Sequence, residues 1–162
     1  MMTDKKLLID AIIIQLKQEL INAINSADMA RQAATDDQSV AETQYDTLGL
    51  EASYLAHGQS ERAEQIKQQI KQYQDLLTKD FDRNDEINIG SLVKLKNTLN
   101  NTELYYFIGP SAGGLKIQLN NLKVMLITPQ APVAKELIGK SQFDFISLPS
   151  PKENELEIVE IF

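Results

Sequence analysis

The chain has 162 residues, 43% of them hydrophobic, and 23 acidic against 16 basic side chains for a net charge of −7, which suits one or two soluble domains. It has no cysteine, hence no disulfide framework and no thiolate metal site, and a single histidine, too few for a self-contained hydrolytic constellation. Phosphate contacts need clustered Lys and Arg, so a chain this acidic is a poor stand-alone nucleic-acid binder, and the partner it predicts is a protein or a cation.

The first apolar run, LLIDAIIIQL, is broken by Asp10 and lacks a small-residue cleavage site. That pattern argues against a signal peptide and a membrane span, and a cytoplasmic protein is expected. Thr3 reads as the N-cap of a first helix, with Asp4 in its first turn, running to about Ala34. Along it Ile9, Ile13, Leu16, Leu20, Ala23, Ala27, Ala30 and Ala34 alternate steps of four and three, as a coiled-coil seam requires. A second helix, from Val40 to about Lys79, carries Ala41, Tyr45, Leu48, Ala52 and Leu55. Pairing 34 with 41, 30 with 45, 27 with 48, 23 with 52, 20 with 55 and 9 with 66 gives every pair one midpoint, between Asp37 and Gln38. The prediction is an antiparallel helical hairpin over residues 1–80 with its tip near 35–39. About thirty residues of helix give a rod on the order of 45 Å long, slim near its tip where the seam is alanine.

In helix two the seam is disturbed at His57, Gly58, Gln59 and Ser60, before resuming at Ile66, Ile70, Tyr73 and Leu77. This reads as a stutter, with a kink or flexible point possible at Gly58. His57 has no second ligand nearby and reads as a surface residue.

The tip carries three carboxylates. Ser39 with Glu42 three residues on is a capping-box signature, and Asp37 near the start of helix two is favoured by the helix dipole. Asp36, at the end of helix one, sits where negative charge is disfavoured. Asp36, Asp37 and Glu42 are therefore either polar bend residues or a functional acidic tip.

Composition changes after Lys79. A polar linker over 81–88 leads to strands at Leu92 to Leu95, Leu104 to Ile108, Leu115 to Leu119, Val124 to Ile127 and Leu156 to Ile161, with turn clusters at Asn97 to Asn101, Gly109 to Gly114 and Asn120 to Asn121. One short helix is predicted from Pro132 to Ile138, opened by Pro132 and stopped by Gly139. The fold class is α+β, with a small antiparallel sheet domain and one helix over 89–162. The segment Gly109 to Gly114 lacks the Lys-Ser/Thr ending of a phosphate loop and reads as a turn. Tyr105, Phe107, Phe143 and Phe145 read as core.

Four segments carry a family resemblance: A131-P-V-A-K-E-L-I-G-K140, I89-G-S-L-V-K-L95, Y106-F-I-G109 and, beside the tip, A41-E-T-Q-Y-D46. They resemble the GreA/GreB family of transcript-cleavage factors, closely after Gly90 and more loosely before it. The resemblance implies an FKBP-like C-terminal domain and a hairpin that enters the secondary channel of bacterial RNA polymerase. There its tip acids share a Mg²⁺ with the polymerase active site, and the polymerase cuts its own backtracked transcript. Such a factor has no catalysis and no cofactor of its own, is a monomer, and meets the RNA 3′ end only inside the polymerase complex. Carried onto this chain, the tip acids are Asp36, Asp37 and Glu42, with Asp37 and Glu42 as ligands of the shared Mg²⁺. The docking residues are Leu137, Ile138, Gly139 and Lys140. Two departures stand out: Asp37 and Glu42 are five apart where the family has three, and the segment Gly109 to Asn121 is longer. The alternatives are a Gre-like channel regulator that inhibits without cleavage, an FKBP-type prolyl isomerase on a coiled-coil arm, and an adaptor dimerising through its hairpin.

Overall fold

The computed structural model describes residues 5–35, 48–77, 80–81, 84–148 and 154–162. Its elements are α1 (Lys5–Thr35), α2 (Leu48–Gln74), β1 (Leu92–Asn97), β2 (Glu103–Ile108), β3 (Lys116–Leu119), β4 (Leu122–Ile127), α3 (Pro132–Leu137), β5 (Phe145–Leu148) and β6 (Asn154–Ile161). They form two compact units, Ile13–Lys71 and a second made of Met1–Ile12 with Gln72–Phe162. The division falls inside the helices, while the change in composition near residue 80 marks where helix gives way to strand.

In the helical unit α1 buries Leu16, Ala23, Ala27 and Ala30, and α2 buries Ala56, Ala63, Ile66 and Ile70. With Ala52 and Gln59 half-buried, the α2 seam steps through 52, 56, 59, 63, 66 and 70 in unbroken fours and threes. This corrects the sequence reading twice. Leu48 and Leu55, expected in the seam, are 67% and 55% exposed, and alanines one or four residues on take the inward face. Nor is there a stutter: Gln59 holds the seam position, and α2 runs through Gly58, where an added Cβ would meet nothing. The register differs as well. Counting set position 19 opposite 56, but Glu19 pairs with Arg62 at 3.3 Å, six residues further along α2, or roughly 9 Å of helix. The expected pairs 34 with 41 and 30 with 45, and the tip itself, lie outside the described residues.

The second unit is one six-stranded sheet in the order β3-β4-β2-β1-β6-β5. Its pairings are antiparallel except β2 with β4, which is parallel with Tyr106 beside Met125. A parallel neighbour needs a crossover. Here the crossover is the Gly109 to Leu115 loop and β3, which then turns back to pair with β4 on its outer side. The β1–β2 turn is closed by Asn97, whose Oδ1 accepts the N–H groups of Leu99 (2.9 Å) and Asn100 (3.2 Å), with Asn101 left-handed at φ 59°. The register of β1 against β6 shifts between Lys94 and Leu95, a bulge that adds local twist.

The core gathers Val93, Leu95, Ile108, Ile127, Ile146, Leu156 and Ile158 from the strands with Ala134 and Leu137 of α3. α3 starts with Pro132 in its first turn and stops at Gly139, whose φ of +84° is left-handed. Ile87, in the segment read as linker, is also in this core at 1% exposure. β5 was not foreseen, and of the four aromatics expected in the core only Phe107 is buried. Tyr105 is half-buried, while Phe143 and Phe145 are 59% and 49% exposed. Phe145 sits on the edge strand, on the side of the sheet away from Ile146, so alternation turns it outward.

Candidate functional site

The three tip carboxylates, Asp36, Asp37 and Glu42, lie outside the described residues. The structure describes the two helices that lead to them. Their seam buries alanine at positions 23, 27, 30, 56 and 63, with Leu16, Ile66 and Ile70 nearer the base. Besides the Glu19–Arg62 ion pair, a polar gap of about 220 Å³ opens between the helices, lined by Asn22, Ser26, Gln59 and the pair itself. Exposed charges decorate the outside in short-range pairs, Arg31 with Asp28 at 2.9 Å and Lys67 with Glu64 at 2.6 Å. Each contributes at most about 1 kcal/mol. His57 is exposed and lies 3.5 Å from Glu61, one helical turn on. Among the described residues no three His, Asp or Glu side chains are placed to hold a metal ion, and no helix is long and apolar enough to cross a membrane.

The second predicted site, residues 137–140, is the C-terminal end of α3. Leu137 is fully buried and so supports this surface from within, whereas Ile138 and Lys140 are half-buried and Gly139 is exposed. The loop is anchored by the Leu137 and Ile138 side chains on the core and by a pair of backbone bonds. Ile87 N–H donates to the Lys140 carbonyl at 2.8 Å, and Gly139 N–H donates back to the Ile87 carbonyl at 3.0 Å. Ile87 has its own side chain in the core, so the loop is fixed where it leaves the helix.

A third feature was not anticipated as a contact. The Tyr73 hydroxyl, at the end of α2, donates to the Ser111 carbonyl at 2.8 Å. Burial pushes the phenol well above its usual range, so it stays a protonated donor. Gly109 makes room for it, because a Cβ there would fall on the Tyr73 hydroxyl. The Gly109 to Gly114 segment is thus a turn that clasps Tyr73, and the only sequence signal was an aromatic at a seam position beside a glycine-rich loop.

On the sheet surface Lys94 and Glu103 pair at 2.7 Å across β1 and β2, and Lys94 also lies 5.8 Å from the centre of the Tyr105 ring. The hydrogen bond from Lys94 holds the Glu103 carboxyl below its usual range and Glu103 in turn raises the lysine.

No family model matches the chain. Transcription elongation factor GreA of Helicobacter hepaticus is 35% identical over 79 residues, which are 48% of this chain and 45% of that protein, so the match spans less than half of the relative's length. Among solved structures, GreA factor homolog 1 (Gfh1) of Thermus thermophilus aligns over 93% of this chain and 94% of its own with 21% identity and a TM-score of 0.39. Gfh1 of Thermus aquaticus covers 91% and 88% with 23% identity and a TM-score of 0.39. A GreA/GreB factor from Nitrosomonas europaea covers 59% and 78% with 20% identity and a TM-score of 0.34. The sequence similarity is thus to a transcription elongation factor GreA, over about half of this chain.

Proposed function

We propose that this chain is a Gre-like bacterial transcription elongation factor that binds RNA polymerase through its secondary channel and stimulates cleavage of the transcript in backtracked complexes. The observation that carries the reading is the GreA match, and the alanine seam between α1 and α2 supports it. A seam made largely of alanine suits a slim arm, and α1 alone, at 31 residues, extends about 46 Å. On this reading Asp36, Asp37 and Glu42 are the working acids. They supply carboxylate oxygens toward a Mg²⁺ of the polymerase, a hard cation that prefers such ligands and that activates water for phosphodiester cleavage. The chain's own contribution is position and charge, and the surface around Ile138 to Lys140 docks on the polymerase at the channel rim.

The test is to add the purified protein to halted, backtracked elongation complexes and follow release of short 3′ RNA fragments. Release that collapses in Asp36→Asn/Asp37→Asn, with thermal stability nearly unchanged, supports the reading, since Asn also caps a helix. Full release by that variant overturns the acidic-tip mechanism. Binding to the polymerase with no release by the wild-type chain makes it a channel regulator of the inhibiting kind.

A further inference from the structure

Strand alternation places Leu104 and Tyr106 of β2, Lys123 and Met125 of β4, and Lys116 and Gln118 of β3 on one face of the sheet. The registers set Met125 beside both Tyr106 and Lys116, and Lys123 beside Gln118. Further along β2 and β4 the same face carries Ile108 and Ile127, which are in the core with Ala134 and Leu137 of α3. That helix has six residues, and beyond its cover the face opens as a groove of about 500 Å³. Small-molecule sites run from about 300 to 1,000 Å³.

The groove has two chemistries. Tyr106 and Met125 are half-buried and Leu104 is 38% exposed, so they form an apolar floor with one aromatic face and one polarisable thioether. Lys116, Gln118 and Lys123 are exposed at its rim. Among the described residues neither Lys116 nor Lys123 has an ion-pair partner, in a chain whose net charge is −7. Glu103, the one acid in the lining, is paired with Lys94. The Gln118 amide nitrogen donates to the Asn120 carbonyl at 2.7 Å, which fixes the amide and leaves its oxygen to accept. An inorganic anion would leave the floor unused, and a neutral ring would leave two cations without a counter-charge. A ligand that uses every group has a flat ring with an N–H donor and a compact dianion.

We propose that this groove binds a small anion of the nucleoside monophosphate class, its planar base against Tyr106 and Met125 and its phosphate between Lys116 and Lys123. The site is independent of the tip and of the docking loop, so it stands or falls apart from the elongation-factor reading.

The experiment is an NMR titration of the full chain with AMP, following the Met125 methyl group and the backbone amides of residues 116–125. The expected result is a saturable shift confined to these groups, with Kd below about 1 mM. Adenosine and ribose 5-phosphate, each lacking one half of the recognition, should bind about tenfold more weakly or worse. Lys116→Gln/Lys123→Gln should weaken AMP by roughly three- to tenfold at unchanged melting temperature, since both side chains are exposed, and Lys135→Gln on α3 should do nothing. The proposal is overturned by any of four results: no saturable shift up to about 10 mM AMP, ribose 5-phosphate binding as well as AMP, AMP affinity untouched by the double lysine variant, or a Glu-Phe-Glu tripeptide binding more tightly than AMP, which would assign the groove to a protein segment.

Discussion

The two units of this chain are packed on opposite principles. In the sheet unit the interior is branched and bulky, with Val93, Leu95, Ile108, Leu137 and Ile158 all at 0% exposure. Each such side chain contributes about 1.5–3 kcal/mol through the water it leaves. In the helical unit the interior is mostly alanine, a methyl group apiece, while Ile14, Ile21, Met29 and Leu48 stand 68%, 52%, 71% and 67% exposed. Large apolar side chains are therefore a poor guide to the interior of the helix pair, where Leu16, Ile66 and Ile70 are buried but others of the same kind are not. What decides there is which stripe faces the partner helix, and near Ala23, Ala27 and Ala30 that stripe is made of small residues.

If this contrast is right, the two units should respond oppositely to changes of side-chain size. The largest effect should come from emptying the sheet core. Leu137→Ala removes a fully buried side chain between α3 and the strands. It should cost about 2–5 kcal/mol in urea unfolding followed by NMR signals of the sheet residues. The helix pair should be hurt by filling instead. Ala27→Leu puts an isobutyl group where a 4%-exposed methyl fits, and a loss of about 1–3 kcal/mol is expected in the helical signal at 222 nm. Should Ala27→Leu stabilise the helices, the seam is loose and the contrast fails.

Tyr73 offers a smaller and pH-dependent check on the sheet unit. Tyr73→Phe leaves the Ser111 carbonyl without its donor and should cost about 1–3 kcal/mol at neutral pH. The sign of the pH dependence follows from the raised phenol. The folded chain holds its proton more tightly than the unfolded chain does. The Tyr73 contribution is therefore complete below the ordinary tyrosine value of 10.0 and declines as pH rises above it. Melting temperatures of wild type and Tyr73→Phe should converge above pH 10, and parallel curves would mean that the hydroxyl is not the buried donor described. The smallest effect is a gain. Gly58 lies inside α2 with open space at its Cβ, so Gly58→Ala should add about 0.5–1 kcal/mol to the helix pair by propensity alone.

Much of the sheet unit was legible because each strand carries its own signal. Residues 92–95, 104–108, 124–127 and 156–161 are runs of branched and aromatic residues bounded by Asn and Gly turns, and Pro132 with Gly139 punctuates the short helix. β5 is not legible because Phe145 to Leu148 is four residues with three apolar side chains, Phe145 on one face and Ile146 and Leu148 on the other, too short to show a period. Of the candidate sites, the loop at 137–140 was singled out by resemblance alone. Its fastening to Ile87 could not, because that bond joins backbones more than fifty residues apart and depends on no side-chain type.

Sequence alone determined that this chain makes two long amphipathic helices followed by a strand-rich unit, because helical and strand periodicities are local properties of a few adjacent turns or residues. It also determined the turn chemistry, since a left-handed backbone at Gly139 or Asn101 is a preference of single residues. Only the tertiary structure decided which stripe of α2 faces inward. The stripes Leu48–Ala52–Leu55 and Ala52–Ala56–Gln59 both satisfy helical spacing, and the choice between them belongs to the packing of the partner helix. Only the tertiary structure decided that β4 runs parallel to β2 and that Phe145 faces out, because alternation along a strand states that two faces differ but not which neighbour lies alongside or which face is covered.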